Sequence, residues 1–433
     1  MRILVVSIGT YGDVLPFIAM AAELDRRGHH VTLASAATFE AAARRAGVDF
    51  EPLMSVEDYS ELFEHPQFWR PFHGARRLFS ALPKFLKPTH DFVARHHVPG
   101  ETLVIASALA MGARIVRETM GAPIVSVHLA PIMFISRDDP PRTPYLIVPK
   151  WLPKAVRWRL QTGLYTEFIA PLILPGLNEF RRSIGLKARR RIRSWWQSSQ
   201  LTLLLFPSWF ASPQPEWPKS ARQLDFPRAD MFGAVSARLD RRLDAFLDAG
   251  EKPVAITFGS GRLGGDAVYR ATIEACLKLG RRCLVLSHQE LDIPSGHEDQ
   301  VFFSRYAPLS EVLPRCAALV HHGGVGTVAM AFAAGVPQLI SPLGFDQFDH
   351  AVRVRRLGAG LSLSRSHFNG RRAATALRTL LSSPLVAERC ARIAAATSKE
   401  DVIAKACDVV EAEFSAALEP RGRAREARRA AVV

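Results

Sequence analysis

The sequence predicts an α/β protein made of two doubly wound domains that face each other across a cleft. Short apolar segments of strand length alternate with amphipathic segments of helix length in both halves of the chain. A proline-rich stretch separates the two runs of alternation. At 433 residues the chain is too long for one hydrophobic core and suits two domains.

The first half begins with a strand, a turn, a helix and a second strand. Met1 to Ser7 is apolar, and a glycine-containing turn at residues 9–13 follows it. An amphipathic segment from Val14 to Arg27 indicates a helix that Gly28 ends. Further strands are predicted at residues 30–34, 103–106 and 124–127. This βαβ pattern is typical of a parallel sheet covered by helices.

The second half resumes the alternation after the prolines between Pro207 and Pro227. We place the domain boundary near residues 211–235, because such composition is typical of a linker. The predicted units are a first domain at 1–215, a second at 216–418 and a mobile basic tail at 419–433. Strands of the second domain are predicted at residues 254–258, 282–287, 301–306, 317–320 and 337–340.

Composition limits the class of protein. Hydrophobic residues make up 48% of the chain and charged residues 22%, as in globular proteins. The five cysteines are odd in number and lack metal-type spacing, so we expect a reducing cytosol. The first apolar run is too short for a signal peptide, and no run of eighteen apolar residues occurs. The sequence therefore predicts a cytoplasmic protein without a spanning helix.

The net charge of +15 is concentrated in residues 141–200, where twelve Lys and Arg face two Glu. This region mixes its cations with large apolar side chains, a combination that suits an anionic membrane surface. The preferred alternative is an insertion that packs on its own domain and exposes its arginines to water. No nucleic-acid-binding motif occurs, so no nucleic-acid partner is expected.

The most distinctive motif spans residues 321–327, with the sequence HHGGVGT. It follows the predicted strand 317–320, and we expect a helix to begin at Thr327. Glycines let the backbone approach a ligand, and the first turn of a helix presents unpaired N–H groups and the positive end of the helix dipole. The motif therefore predicts a site for an anionic group such as phosphate.

The turn at residues 9–13 also follows a predicted strand. In doubly wound sheets, ligands bind beyond the carboxyl ends of the strands. We therefore expect the two loops to face each other, with a phosphorylated compound on one wall of the cleft and the second reactant on the other.

These motifs resemble those of the nucleotide-sugar-dependent glycosyltransferases of the GT-B fold, a group that includes natural-product and sterol glycosyltransferases. The resemblance covers nearly the whole chain. It rests on Gly12-Asp13-Val14-x-Pro16, Arg27-Gly28-His29-x-Val31, Phe258-Gly259-Ser260, Tyr306-Ala307-Pro308, His322-Gly323-Gly324-x-Gly326-Thr327, Gly335-Val336-Pro337 and Asp346-Gln347. Within the group, residues 206–210, 306–309, 334–338 and 346–349 are similar to the rhamnosyltransferases of rhamnolipid synthesis.

The resemblance implies a donor site in the second domain and an acceptor site in the first. His322 and the amides of the loop would hold the donor diphosphate and stabilise it as the leaving group with positive charge and dipole. No metal or cofactor is then expected. The implied donor-binding residues are Gly12, Gly259, Ser260, Tyr306, Ala307, His322, Gly323, Gly324, Gly326, Thr327, Asp346 and Gln347.

The resemblance also implies that Asp13 is the general base and that His322 is the second catalytic residue. Asp13 would take the proton of the acceptor hydroxyl as its oxygen attacks the anomeric carbon from the face opposite the diphosphate, which inverts the anomeric centre. A helix N-terminus lowers the pKa of a carboxyl, whereas a base for an alcohol benefits from a raised one. Burial by acceptor in a closed cleft would reverse the shift.

Met330 departs from the pattern of the plant UDP-sugar enzymes, which have a glutamate there that binds the ribose hydroxyls. A thioether cannot accept those hydrogen bonds, and a deoxythymidine nucleotide lacks the 2′-hydroxyl. The departure therefore favours a dTDP-sugar donor over UDP-glucose.

The acceptor site is expected among large apolar residues of the first domain, which would suit an acyl chain. The candidates are Phe72, Phe79, His128, Met133 and Phe134. For His128, a purely structural role is an equal alternative.

The resulting hypothesis is an inverting, metal-independent transfer of L-rhamnose from dTDP-L-rhamnose to a hydroxyl of a lipid-like acceptor such as a hydroxyalkanoyloxy-alkanoate. We expect a peripheral contact with the inner face of the cell membrane, or a partner that supplies the lipid. The alternatives are a sterol or polyketide acceptor, a sugar-nucleotide epimerase, a dinucleotide oxidoreductase and a catalytically silent protein of the same fold.

Overall fold

The computed structural model describes residues 1–196, 200–228, 239–259, 266–289, 291, 295–397 and 399–414. Its framework is two parallel β-sheets. The seven-stranded sheet comprises β1 (Arg2–Val6), β2 (His30–Ala36), β3 (Asp49–Met54), β4 (Thr102–Ser107), β5 (Ile124–His128), β6 (Leu201–Leu204) and β7 (Ala221–Gln223). The six-stranded sheet comprises β8 (Val254–Thr257), β9 (Cys283–Leu286), β10 (Val301–Ser304), β11 (Ala318–His321), β12 (Gln338–Ile340) and β13 (Gly360–Ser362).

Helices surround both sheets. Those of the first half are α1 (Tyr11–Arg26), α2 (Glu40–Arg45), α3 (Val56–Phe63), α4 (Pro71–Ala81), α5 (Leu86–His96), α6 (Met111–Met120), α7 (Lys154–Gly163), α8 (Ala170–Ser183) and α9 (Arg193–Trp196). Those of the second half are α10 (Arg241–Asp248), α11 (Asp266–Lys278), α12 (Leu309–Val312), α13 (Val325–Ala333), α14 (Gln347–Arg356), α15 (Gly370–Ser382), α16 (Pro384–Ala396) and α17 (Val402–Phe414). Among the described helices, none is both long and apolar enough to span a bilayer.

The strand orders place the predicted loops at the points where each sheet reverses direction. The orders are β3-β2-β1-β4-β5-β6-β7 and β10-β9-β8-β11-β12-β13, with every pair parallel. The first sheet therefore reverses between β1 and β4, and the second between β8 and β11. Ligands bind at such switch points, because the loops on either side diverge and leave a crevice. The predicted fold of two doubly wound domains is confirmed.

Buried aliphatic side chains explain why these segments form strands. All four residues of β8, β9, β11 and β6 are buried, as are residues 3–6 of β1. Strands covered by helices on both faces need such continuous apolar runs. All five cysteines are free and buried.

Both element boundaries at the glycine motif differ from prediction. The strand before the glycine motif is shifted by one residue, to Ala318–His321. The helix after it begins at Val325 rather than at Thr327, because Gly324 is its N-cap. The amides of Val325 and Gly326 therefore belong to the helical first turn.

The last helix returns to the first sheet. In α17, Cys407 and Val410 share one hydrophobic core with Ile3 and Val5 of β1. This packing joins the last described helix to the first strand of the chain. The domain limits at 215 and 418 stay a prediction. The tail at 419–433 and residues 229–235 of the proposed boundary lie outside the described residues.

Arg27 holds α17 against α1. Its guanidinium donates to Glu23 at 2.7 Å, to Asp408 at 2.6 Å and to Glu411 at 2.6 Å, and also to the carbonyl of Ala404 at 2.9 Å. The side chain is only 18% exposed, so these charge-assisted bonds are partly shielded from water.

We expect Arg27→Met to lower the free energy of unfolding by about 1–3 kcal/mol, because it removes several hydrogen bonds to charged groups at a half-buried contact. Urea denaturation followed by circular dichroism measures the change. Arg26→Met is the matched control, since Arg26 is 71% exposed and, among the described residues, forms an ion pair with Glu23 alone. Equal midpoints for the two variants would contradict a clamping role for Arg27.

Candidate active site

A single cavity of about 1070 Å³ joins the switch points of the two sheets. Residues of the turn that follows β1 and of the glycine motif that follows β11 both line this cavity. Fourteen of the residues proposed from sequence line it: Gly12, Asp13, Phe79, His128, Met133, Gly259, Tyr306, Ala307, His322, Gly324, Gly326, Thr327, Asp346 and Gln347. The proposed donor and acceptor residues thus share one cleft.

Four proposed residues are not placed on the cavity wall. Ser260 lies outside the described residues. The N–H of Gly323 donates to His321 Nδ1 at 3.2 Å, and its carbonyl accepts a hydrogen bond from His350 Nδ1 at 2.8 Å. Both polar groups of Gly323 are therefore bonded within the protein. Phe72 is 56% exposed, and Phe134 is buried behind His128, with ring centroids 4.7 Å apart.

Asp13 is fixed by the N-terminus of its own helix. The backbone N–H and the hydroxyl of Thr10 donate to Asp13 Oδ2 at 2.8 and 2.9 Å. Gly9 makes room for the carboxyl group, since a Cβ at this position would lie 2.5 Å from Asp13 Cβ, and its φ is +149°. These two bonds use Oδ2, and Asp13 lines the cavity. The Thr-x-x-Asp spacing is a capping signal that could have identified Thr10 from sequence.

Burial determines the ionisation of Asp13. Removal from water, with the nearby charge of Asp346, raises the pKa of Asp13 to about 6. The two Thr10 hydrogen bonds oppose this shift. The helix N-terminus alone was expected to lower the pKa, but desolvation outweighs it. A carboxylate with this pKa is ionised at pH 7 and is a stronger base than an exposed one.

His322 is enclosed by two glycines. A Cβ at position 324 would lie 2.5 Å from His322 Nε2, and one at Gly259 would lie 3.1 Å from Cε1. The ring can therefore occupy this place only because both positions lack a side chain. Nδ1 is buried and has no hydrogen-bond partner among the described residues.

Burial opposes the positive charge that was expected on His322. Burial, together with His350, lowers the pKa of His322 to about 4, so the imidazole is neutral at pH 7. A neutral ring still donates one N–H. The contribution of His322 to an anion is accordingly a hydrogen bond in a water-poor site, where such a bond is strong.

The N-terminus of α13 supplies further donors. The first helical hydrogen bond runs from Val328 N–H to the Gly324 carbonyl at 3.0 Å. The amides of residues 325–327 therefore precede the helical ladder, and all three residues line the cavity. With the helix dipole they form a site suited to a phosphate oxygen.

The Asp346-Gln347 pair begins α14 on the same wall. Gln347 Oε1 accepts the N–H groups of Leu343 at 2.8 Å and Gly344 at 3.2 Å, which fixes its orientation. Burial raises the pKa of Asp346. Phe345, just before them, has φ of +51°, a strained value for a bulky residue. No sequence motif predicted this conformation.

Tyr306 and Ala307 line the cavity beyond the glycine motif. Tyr306 is 51% exposed, so its ring is accessible to a stacking partner, whereas Ala307 is buried. No group of three or more His, Cys, Asp or Glu lies close enough to hold a metal ion in the described part of the chain.

Comparison with known proteins identifies the family. Residues 3–134 match the glycosyltransferase family 28 N-terminal domain, and residues 285–411 match the erythromycin biosynthesis protein CIII-like C-terminal domain. The O-mycaminosyltylonolide 6-deoxyallosyltransferase of Streptomyces fradiae is 30% identical over 95% of this chain and 97% of its own. The chain belongs to these glycosyltransferases. It is a nucleotide-sugar glycosyltransferase of the GT-B type.

Two more distant proteins are also similar to this glycosyltransferase. The sterol 3-beta-glucosyltransferase of Debaryomyces hansenii is 25% identical over 95% of this chain and 27% of its own length. The spinosyn rhamnosyltransferase, solved with thymidine diphosphate, has the same fold with a TM-score of 0.66 at 18% identity, covering 95% of this chain and 100% of its own.

As the proposed general base, Asp13 with its pKa of about 6 must be ionised to accept a proton, so we expect kcat/KM for the acceptor to fall about tenfold per pH unit below pH 6 and to level off above it. His322 has a pKa of about 4 and adds no second limb in this range. A pH profile of kcat/KM, with any donor and acceptor that react, measures the effect.

Two variants check the assignment. Asp13→Asn should lower kcat by about 10²–10⁴-fold while leaving nucleotide affinity unchanged. Asp346→Asn removes a charge that raises the Asp13 pKa and should move the acid limb to lower pH. Wild-type turnover in Asp13→Asn, or a limb that stays in place in Asp346→Asn, would exclude Asp13 as the titrating base.

Proposed function

We propose that this glycosyltransferase transfers L-rhamnose from dTDP-L-rhamnose to a hydroxyl of a lipid-like acceptor, such as a hydroxyalkanoyloxy-alkanoate, with inversion and without a metal. The observation that carries the proposal is the single cleft in which Asp13 faces the donor-lined wall, with an apolar pocket beside it.

The proposed reaction assigns one role to each wall. Asp13 Oδ1 takes the acceptor proton as the hydroxyl oxygen forms a bond to the anomeric carbon of the donor. The bond from that carbon to the diphosphate breaks, and the electron pair leaves with the phosphate oxygen. The α13 amides and the His322 N–H stabilise the developing negative charge. Gly259 and Ser260 would contact the same phosphates, and Asp346 and Gln347 would bind sugar hydroxyls.

The nucleotide proposal is supported by the site around Tyr306. The Tyr306 ring would stack on the base, and the Ala307 backbone would bond to its edge. Met330 is buried and lines the cavity, so the ribose would meet a thioether. A thioether is a weak acceptor and leaves a 2′-hydroxyl without a partner, which favours deoxyribose.

The acceptor proposal is supported by the pocket on the side of the first sheet. Its wall is mostly apolar and includes Leu15, Phe63, Phe68, Leu78, Phe79, Met133 and Ile169. His128 is buried there, and both ring nitrogens lack a partner among the described residues. A buried imidazole N–H without a hydrogen bond costs free energy. An oxygen atom of the acceptor substrate would therefore be bound at this point.

A sterol or polyketide acceptor is the second candidate. The Streptomyces and Debaryomyces relatives are named for a macrolide and a sterol substrate, and a rigid polycyclic compound would also fill an apolar wall.

We expect dTDP-L-rhamnose and a hydroxyalkanoyloxy-alkanoate to give a monorhamnosylated product by mass spectrometry, because donor and acceptor each match one wall of the cleft. A screen of donors (dTDP-rhamnose, UDP-glucose) against acceptors (the hydroxy acid ester, a sterol, a macrolide aglycone) makes the measurement. Asp13→Asn is the control for enzymatic origin. Product from UDP-glucose and a sterol, with none from the first pair, would refute the rhamnosyl assignment.

We also propose a peripheral contact with an anionic membrane, through residues 147–160. Among them Ile147, Trp151, Val156 and Leu160 are exposed, with Trp151 at 82%. This segment contains no acidic residue, and Lys150, Lys154 and Arg159 are its exposed cations. Lys154 pairs with Asp138 at 2.6 Å and Lys150 with Asp139 at 3.4 Å, and both lysines stay more than 60% exposed. It follows Tyr145 and Leu146, which line the cavity, so a lipid acceptor, from the membrane or from a partner protein, would enter nearby.

The basic run at 189–193 is a weaker candidate for the same contact. Arg189 is paired with Glu118 at 2.7 Å, and Arg193 lies over the Trp158 ring at 5.1 Å.

We therefore expect Trp151→Ser/Leu160→Ser to reduce co-sedimentation with phosphatidylglycerol vesicles several-fold, because apolar burial contributes to interfacial binding. Arg190→Gln/Arg191→Gln is the matched control and should retain most of the binding. The reverse pattern would place the contact at 189–193, and no vesicle binding by the wild type would remove the proposal.

A further inference from the structure

Arg353, in the middle of α14, bridges the two halves of the molecule. Its Nε donates to Asp349 at 2.6 Å, within the same helix. One terminal nitrogen donates to Asp139 at 2.8 Å and to the carbonyl of Phe210 at 3.2 Å, both on the side of the first sheet. The side chains of Arg353 and Asp349 are each only 3% exposed, so this pair is almost fully removed from water, whereas Asp139 is 20% exposed.

Further bonds join the same helix to the same segment. Asp349 accepts the backbone N–H of Arg142 at 2.9 Å through its second oxygen. Arg356 donates to Asp139 at 2.6 Å. Residues 139–146 are thus attached to α14 at both Asp139 and Arg142, and we call them the acceptor-wall segment.

The acceptor-wall segment forms part of the cleft. Pro141, Thr143, Tyr145 and Leu146 line the cavity. The Tyr145 ring lies 5.7 Å from that of Phe168, another residue of the cavity wall. A shift of the segment would therefore change the shape of the pocket in which we place the acceptor.

The other end of α14 belongs to the donor side. Asp346 and Gln347 begin the helix and line the cavity, and His350 Nδ1 bonds to the carbonyl of Gly323 at 2.8 Å, inside the glycine motif. The preceding Phe345 packs on Phe68 of the apolar pocket, with ring centroids 4.8 Å apart. The ten-residue helix thus contacts the donor loop and the acceptor-wall segment, and Phe345 just before it contacts a second part of the acceptor pocket.

We propose that Asp139 and Arg353 are positioning residues that couple the acceptor wall to the donor site through α14. A nucleotide that orders the donor loop and the start of α14 also holds residues 139–146 in the conformation that admits acceptor. Neither residue touches the reacting atoms. The assignment of this pocket to the acceptor rests on the proposed function, whereas the coupling itself does not.

Arg353 is a poor choice for a first variant. Removing it would leave Asp349 buried without its counter-charge, which endangers folding. Asp139→Asn is milder, since Asp139 is 20% exposed and the amide keeps its shape. Asp138→Asn is the matched control, because Asp138 is the adjacent residue in the chain. Among the described residues, its carboxylate pairs only with the exposed Lys154, at 2.6 Å.

Hydrogen–deuterium exchange with dTDP, and in parallel with UDP, tests the coupling without any acceptor. Three of the residues at 139–146 are prolines, so five backbone N–H groups report on the segment. In the wild type and in Asp138→Asn, saturating nucleotide should slow their exchange about 5–30-fold, the range for a coupling of one to two kcal/mol. In Asp139→Asn this protection should be lost while nucleotide affinity changes less than about twofold. With a working substrate pair, the acceptor KM of Asp139→Asn should rise about 5–30-fold and kcat should stay within about twofold.

Two results would overturn the proposal. One is the absence of nucleotide-dependent protection at 139–146 in the wild type. The other is an Asp139→Asn protein that keeps wild-type protection and KM but melts at a lower temperature, since that pattern shows a purely structural ion pair. Failure of the proposed rhamnosyl transfer would be visible in the substrate screen and would leave the exchange result standing.

Discussion

The site depends on one geometric constraint, the parallel direction of every strand in both sheets. Parallel strands send all their C-terminal loops to a single edge, and each sheet has one point where its strand order reverses. The β1 and β11 loops leave the sheets at these points, and they carry Asp13 and His322. The constraint brings together two residues that are more than 300 positions apart in the chain. The two loops then need to supply only hydrogen-bond donors for the diphosphate and a general base.

Desolvation in the cleft sets the charge of the groups that line it. Burial raises the pKa of Asp13 and Asp346 and lowers that of His322 and His128, so every one of these shifts favours the neutral form. The same low polarity that weakens ionisation strengthens a hydrogen bond to a developing charge. A cleft of this kind stabilises charge that appears during reaction better than charge that is present at rest.

The sequence was sufficient for features that depend on neighbouring residues. Strand and helix periodicity predicted the fold, and glycine spacing predicted the loop whose first-turn amides line the cavity. Long-range packing was not predictable: Arg353 and Asp139 are 214 residues apart, and Arg27 and Asp408 are 381 apart. The neutral state of His322 and the burial of Phe134 also follow from tertiary enclosure. A motif identifies the residue type in a loop, whereas its environment is assembled by distant segments.

The return of α17 to the first sheet has a mechanical consequence. The chain passes from the first sheet to the second after β7 and passes back before α17, so two covalent connections join the halves. Buried side chains from both halves also share one hydrophobic cluster, in which Phe134 and Phe206 pack with Phe332. Separating the two sheets would therefore disturb two chain connections and a shared core, and not a single linker.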